Sequence, residues 1–238
     1  PKYLLFLENA FPYMQKYDYK KGMKALLQEL KCLLKSKGIG TDSDRALLLD
    51  FQATLEIKPE KAMKLEKDAL ALITEITEDN AHLVSNLHSN LGGLYSMNGY
   101  PDLAMEHMEK GLFLLEQYNL LYTHDGIPQA TNYAMFLTEQ QAPEKGISVL
   151  QKLSKGIKEY NSDCCLDYAT VQETLATIYL MTANLPQAKT HFKRACKIYE
   201  KIWADEPEMI EKKYLEIQEL YPQVGYFLGQ QISNFLTE

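Results

Sequence analysis

Apolar residues recur three and four positions apart along much of the chain, as in DRALLLDFQATL at 44–55 and HLVSNLHSNLGGLY at 82–95. This spacing places the apolar side chains on one face of an α-helix. The segments between these runs are mostly short and carry glycine, proline or asparagine, and no alternating strand pattern competes with the helical one. The sequence therefore predicts an all-α fold.

Prolines mark the predicted helix starts. A proline fits the first turn of a helix, because the N–H that it lacks would have no partner there. Prolines precede a new apolar period at five places: Pro59, Pro101, Pro143, Pro186 and Pro207. Gly99 follows a helical run, as expected for a left-handed helix end. These signals divide the chain into short helices joined by tight turns.

Small residues repeat at a fixed interval. Ala62, Ala104, Gly146 and Ala188 follow one another at intervals of 42 residues. Further small residues, Gly92, Ala134 and Ala176, lie twelve positions before three of these, and the large residues Tyr95, Leu137 and Tyr179 lie nine before. We interpret each unit as two antiparallel helices in contact at the small residues, with units stacking to share a core. Asp50 breaks the pattern where a small residue is expected.

This arrangement resembles the tetratricopeptide repeat, with small residues at the eighth and twentieth places and an aromatic residue at the eleventh. Phe192 and Ala195 match places farther along the repeat. The usual repeat has about 34 residues, whereas the longer interval is similar to the repeats of kinesin light chains and of bacterial peptide-sensing regulators of the Rap and NprR type. The resemblance implies an αα-superhelix, a solenoid of five to six helical hairpins whose concave face binds a partner.

The C-terminal segment matches the repeat poorly. We expect residues 1–204 to form the hairpin array and residues 205–238 to form capping helices of the same domain, because a terminal repeat would otherwise expose apolar surface. Aromatic and aliphatic residues near the end supply either this cap or, as the alternative, a homodimer patch; they are Tyr221, Tyr226, Phe227, Leu228 and Phe235.

Composition narrows the classes of partner. The 238 residues are 46% hydrophobic and 24% charged, with a net charge of -7, which is ordinary for a soluble globular protein and unfavourable for nucleic acid. No apolar run approaches the roughly 18 residues of a membrane helix, and the start PKYLLFLENAF is too short and too acidic for a signal segment. We therefore expect a cytoplasmic protein that binds neither nucleic acid nor membrane.

Residues with catalytic or metal-binding chemistry are scattered. The five histidines, His82, His88, His107, His124 and His191, lack the spacing of a shared metal site. We find no glycine-rich phosphate loop and no serine elbow. The adjacent Cys164 and Cys165 are either idle thiols or a redox pair. The sequence therefore predicts a protein that is not an enzyme and needs no metal or cofactor.

The first helix of each hairpin lines the inner face of such a stack. The side chains predicted there are Asn86, Ser89, Asn90, Met97, Thr131, Asn132, Met135, Glu139, Glu173, Thr177 and Met181. Asn90 and Asn132, one repeat apart, could hold the backbone of an extended peptide, because an amide both donates and accepts. Alternatively, the asparagines lie on a solvated face and the methionines pack in the core.

Two functions remain open at this point. We expect a non-catalytic scaffold that binds a protein or an extended peptide. The alternative is a peptide-responsive signalling regulator, or the sensor arm of a larger regulatory protein, whose output lies on another domain or another protein.

Overall fold

The computed structural model describes residues 10, 11, 14, 19–35, 40–160 and 164–220. Its helices are α1 (Lys20–Lys35), α2 (Asp42–Leu55), α3 (Pro59–Leu72), α4 (Ala81–Met97), α5 (Pro101–Gln117), α6 (Gly126–Glu139), α7 (Pro143–Tyr160), α8 (Leu166–Met181), α9 (Leu185–Ile202) and α10 (Pro207–Leu220). These residues contain no β-strand, and the predicted all-α class is confirmed. The aromatic residues predicted to form a cap or dimer patch, from Tyr221 to Phe235, lie outside the described residues.

The predicted helix starts are confirmed. Pro59, Pro101, Pro143 and Pro207 are the first residues of α3, α5, α7 and α10, and Pro186 is the second residue of α9. Gly99 follows α4 with a φ of 78°, a left-handed conformation that glycine adopts without steric cost. These six helix boundaries therefore have a local cause in the sequence.

Successive helices pair into hairpins: α2 with α3, α4 with α5, α6 with α7, and α8 with α9. The small residues meet inside these pairs, as predicted. A Cβ added at Gly92 would lie 3.2 Å from the carbonyl oxygen of Ala104, and one added at Gly146 would lie 2.5 Å from that of Ala134. The two helices of a hairpin can approach this closely only because both positions are small.

The chain divides into two compact units, and the first extends through Leu120. Its helices α1 to α5 enclose two apolar clusters. One contains Phe11, Met23, Leu26, Leu30, Leu34 and Phe51, and the other contains Ala46, Ala69, Leu83 and Leu87. The rings of Phe11 and Phe51 stack with their centroids 3.9 Å apart. The first helices of its two complete hairpins, α2 and α4, contact each other.

The second unit begins at Leu121 and contains α6 to α10. Its fully buried side chains include Ile127, Leu150, Leu153, Ile157, Leu175, Phe192 and Tyr214. The first helices α6 and α8 again contact each other, and α10 packs on α9. The boundary predicted between array and cap falls in the turn before α10. The assignment of residues 205–238 to a cap stays a prediction.

Candidate binding face of the first helices

In the first unit, the predicted site residues follow one another along α4. Asn86 and Ser89 are half-buried, whereas Asn90 is exposed. Met97, at the end of the helix, is 84% exposed, so its side chain lies on the surface and not in the core. The accessible part of this helix therefore offers an amide and a thioether.

The Asn90 side chain lies beside two buried acidic side chains. Its Nδ2 donates to Oδ1 of Asp50 on α2 over 2.8 Å, and both residues lie beside Glu66 on α3. Asp50 and Glu66 are buried. The residue that interrupts the small-residue pattern thus lies in a polar cluster where α2, α3 and α4 meet.

Burial raises the pKa of both carboxyls in this cluster. The pKa of Asp50 rises to about 6, and the pKa of Glu66 rises to about 9, with the neighbouring Asp50 charge as a second cause. A buried carboxyl is difficult to ionise, and a second one beside it more so. At neutral pH the pair therefore carries one proton, and this proton lies on Glu66.

In the second unit, α6 and α8 carry the remaining predicted residues. Asn132, Glu139 and Met181 are exposed and Met135 is half-buried. Thr131 and Thr177 are buried, and their hydroxyls donate to carbonyl oxygens nearby in the chain: Thr131 to Pro128 over 2.8 Å, and Thr177 to Glu173 over 3.0 Å. The accessible groups are thus an amide, a carboxylate and a thioether.

Glu173 on α8 already has partners within the protein. It accepts a hydrogen bond of 2.7 Å from the Tyr199 hydroxyl on α9 and lies 3.1 Å from Nζ of Lys213 on α10. Lys213 also lies over the Tyr199 ring, 5.5 Å from its centroid. Glu173 therefore connects three helices of the second unit.

The two polar links have the same spacing. Asp50 and Asn90 are separated by 40 residues, and so are Glu173 and Lys213. In each unit the link joins the first helix of a hairpin to the helix two places later in the chain. Sequence reasoning noted Asp50 as an irregularity but missed Glu66 and Lys213 as partners. The shared spacing was the signal that could have found Lys213.

Histidines pack the two helices of a hairpin together. Nδ1 of His88 lies 3.0 Å from Nδ1 of His107, whose ring centroid is 5.3 Å from that of Tyr95. Two repeats later, Gln172 Oε1 lies 2.9 Å from Nδ1 of His191. The His191 ring stacks on Tyr179 at 5.4 Å. Burial lowers the pKa of the three histidines, that of His88 to about 4, so they are uncharged near neutrality.

Neither a membrane-spanning helix nor a metal site occurs in the part of the chain that the structure describes. None of its helices combines the length and the apolar character of a bilayer-spanning segment. Nor do three or more histidine, cysteine, aspartate or glutamate side chains come together there in an arrangement that could hold a metal ion. The exposed polar groups on the first helices remain the candidate site.

The chain was compared with known proteins. A tetratricopeptide-repeat family model matches residues 127–201, and no curated protein sequence matches. Among solved structures, a putative kinesin light chain of Podosopora anserina with TPR-like repeats is 15% identical, with a TM-score of 0.61 over 85% of this chain and 97% of that one.

Two other structures share the fold. BtubC (BKLC) from P. vanneervenii is 17% identical, with a TM-score of 0.60 over 98% of this chain and 87% of that one. A Rap protein complexed with competence and sporulation factor is 14% identical, with a TM-score of 0.54 over 100% of this chain and 80% of that one. The family match and the shared fold confirm the predicted resemblance: residues 127–201 match the tetratricopeptide-repeat family, and the chain shares the fold of these structures.

Proposed function

We propose that the protein is a non-catalytic binding module that takes an extended peptide, or an extended segment of a partner protein, along its first helices. The observation that carries the proposal is the contact between α6 and α8 in the second unit. These two neighbouring first helices carry the exposed groups Asn132 and Glu139 on α6 and Met181 on α8. We expect this binding to occur in the cytoplasm.

The chemistry of the exposed groups suits a peptide main chain. Each residue of an extended peptide offers an N–H donor and a C=O acceptor, and the Asn132 amide can serve either. The flexible side chain of Met181, 52% exposed, adapts to apolar side chains of different shapes. Thr131, Thr177 and Glu173 have partners inside the protein. We therefore assign ligand contact within each unit separately, to Asn90 and Met97 in the first unit and to Asn132, Glu139 and Met181 in the second.

An array of overlapping peptides, probed with the whole chain, tests the proposal. For a peptide recovered in this way, we expect Asn132→Ala and Met181→Ala each to weaken binding by about tenfold, the effect of one lost hydrogen bond or apolar contact. Lys155→Ala is the matched control, because Lys155 is 80% exposed on the second helix α7. Equal losses in all three variants, or no peptide above background, would contradict the proposal.

The second candidate function is a peptide-responsive regulator. It is favoured by the fold likeness that covers this whole chain and includes a Rap protein in complex with competence and sporulation factor. A regulator must change beyond its contact surface when the peptide binds. Hydrogen exchange of free and bound protein separates the two functions: protection confined to the first helices indicates a scaffold, and protection that spreads to α5, α7 or α9 indicates a regulator.

A further inference from the structure

Three helices of the first unit converge on Asn90. Asp50 comes from α2 and Glu66 from α3, and Asn90 on α4 is exposed while the two carboxyls below it are buried. Glu66 is only 2% exposed, and its Oε2 has no hydrogen-bond partner. Asn90 thus lies between an acidic pair and the solvent.

The chemistry of the pair requires that one of the two carboxyls carries a proton. The buried carboxyls of Asp50 and Glu66 lie close enough to act on each other's pKa, and two ionised carboxylates side by side repel each other. One of the two buried carboxyls is therefore protonated at neutral pH. Burial raises the pKa of both carboxyls, and the neighbouring groups that act on each pKa are the other carboxyl and Asn90.

The same chemistry fixes the orientation of the Asn90 amide. Nδ2 donates to Asp50, and Glu66 lies beside the same amide. If the amide were turned over, its oxygen would face a carboxylate oxygen, and two acceptors would repel each other. The NH₂ group therefore faces inward, and Oδ1 is left for a donor that arrives from solvent.

We propose that Asp50 and Glu66 are positioning residues of the binding face: by holding one shared proton, they fix Asn90 as a hydrogen-bond acceptor for a main-chain N–H of the bound peptide. This inference rests on the proposed function. It gives Asn90 a single role, in contrast to an amide free to donate or accept.

The first test needs no ligand. In the whole chain labelled with ¹⁵N-asparagine, we expect the side-chain NH₂ of Asn90 to exchange with water more than tenfold more slowly than that of exposed Asn132. Asp50→Ala installs the small residue that the repeat carries at this position, and the slow exchange should disappear. Exchange at Asn90 as fast as at Asn132 in the unaltered protein would overturn the proposal.

The pH dependence of the same signal tests the shared proton. We expect the Asn90 NH₂ resonances to move as pH rises through about 9, because Glu66 then loses its proton. In Glu66→Gln the side chain at position 66 is an amide that can donate to Asp50 at every pH. Slow exchange at Asn90 should therefore persist, and this alkaline transition should vanish. An unchanged transition in Glu66→Gln would show that another group titrates.

The second test uses the peptide recovered from the array. Its main-chain amides are replaced one at a time by esters, which removes a single N–H donor in each case. One position should lose about tenfold in affinity with the unaltered protein, and Asn90→Ala or Asp50→Ala should abolish that loss. Losses that are identical in the variants would overturn the acceptor role. If the array yields no peptide, the proposed function fails together with that role, while the exchange measurement still decides how Asn90 is positioned.

Discussion

Gly93 and Gly146 both lie inside helices, but the space beside them differs. A Cβ at Gly93 would have no neighbour within 4 Å, whereas one at Gly146 would lie 2.5 Å from the carbonyl oxygen of Ala134 and 3.1 Å from Oγ1 of Thr138. The backbone of α6 cannot yield without separating the hairpin. The same substitution should therefore have opposite effects at the two positions.

We expect Gly146→Ala to lower the free energy of unfolding by about 1 to 3 kcal/mol, the usual cost of overpacking. Gly93→Ala should raise it by about 0.5 to 1 kcal/mol, because alanine loses less backbone entropy in a helix. Urea unfolding of both variants measures the difference. A loss of stability in both would show that glycine is needed at Gly93 for a reason other than space.

At the scale of single residues, the sequence could predict the positions that recur in every repeat. The small residues were predicted because they recur at a fixed interval, and the structure buries them as expected. Glu66 could not be predicted, since an acidic residue among the lysines of α3 has the appearance of a solvated face. Its burial depends on how α3 packs against α2 and α4, and no local pattern encodes that packing.

Both apolar and polar contacts hold helix α10 in the second unit. Ile210, Tyr214 and Ile217 are fully buried, and Lys213 pairs with Glu173, both side chains being less than a fifth exposed. An ion pair with little solvent around it leaves an unpaired charge when one partner is removed. Lys213 should therefore matter more than a surface lysine.

We expect Lys213→Ala to lower the free energy of unfolding by about 1 to 3 kcal/mol, because Glu173 keeps only the Tyr199 hydroxyl as a partner. Hydrogen exchange should increase first in α10. Lys212→Ala is the control, since Lys212 is the exposed neighbour on the same helix. If the two variants behave alike, the apolar residues alone hold α10 in place.

The sequence predicted the elements better than the links between them. Apolar spacing and the prolines determine where helices begin, because both act within one or two turns of chain. The partners of Glu173 and Asn90 lie 40 residues away, and many charged side chains could have reached either position. The choice among them depends on the packed arrangement of helices within each unit.

The chain as a whole carries a net charge of -7 at pH 7, yet each compact unit contains half-buried histidines that are uncharged near neutrality. His88 and His107 lie in the first unit and His191 in the second, and burial lowers the pKa of each. The unfolded chain binds protons at these positions at a higher pH than the folded chain does. Acid should therefore weaken the fold through its histidines.

His88 provides the sharpest test of this effect, because the chain contains its own replacement. Gln172 occupies the equivalent position two repeats later and contacts His191 as His88 contacts His107. His88→Gln should thus keep the hairpin contact while removing the imidazole whose pKa burial lowers to about 4. His82→Gln, at an exposed position on the same helix, is the control.

The folded pKa of His88 is about 4, below its ordinary value of 6.5, so its contribution to stability is lost as pH falls from about 6.5 to 4. Between pH 7 and 4.5, the unaltered protein should lose about 1 to 2 kcal/mol of unfolding free energy relative to His88→Gln, a value reduced for partial hydration. The unaltered protein is compared with His88→Gln at each pH, because protonation of Asp50 and Glu66 stabilises the fold of both proteins over part of the same pH range. Parallel curves for His88→Gln and the unaltered protein would mean that His88 titrates normally, whereas His82→Gln should follow the unaltered protein at every pH.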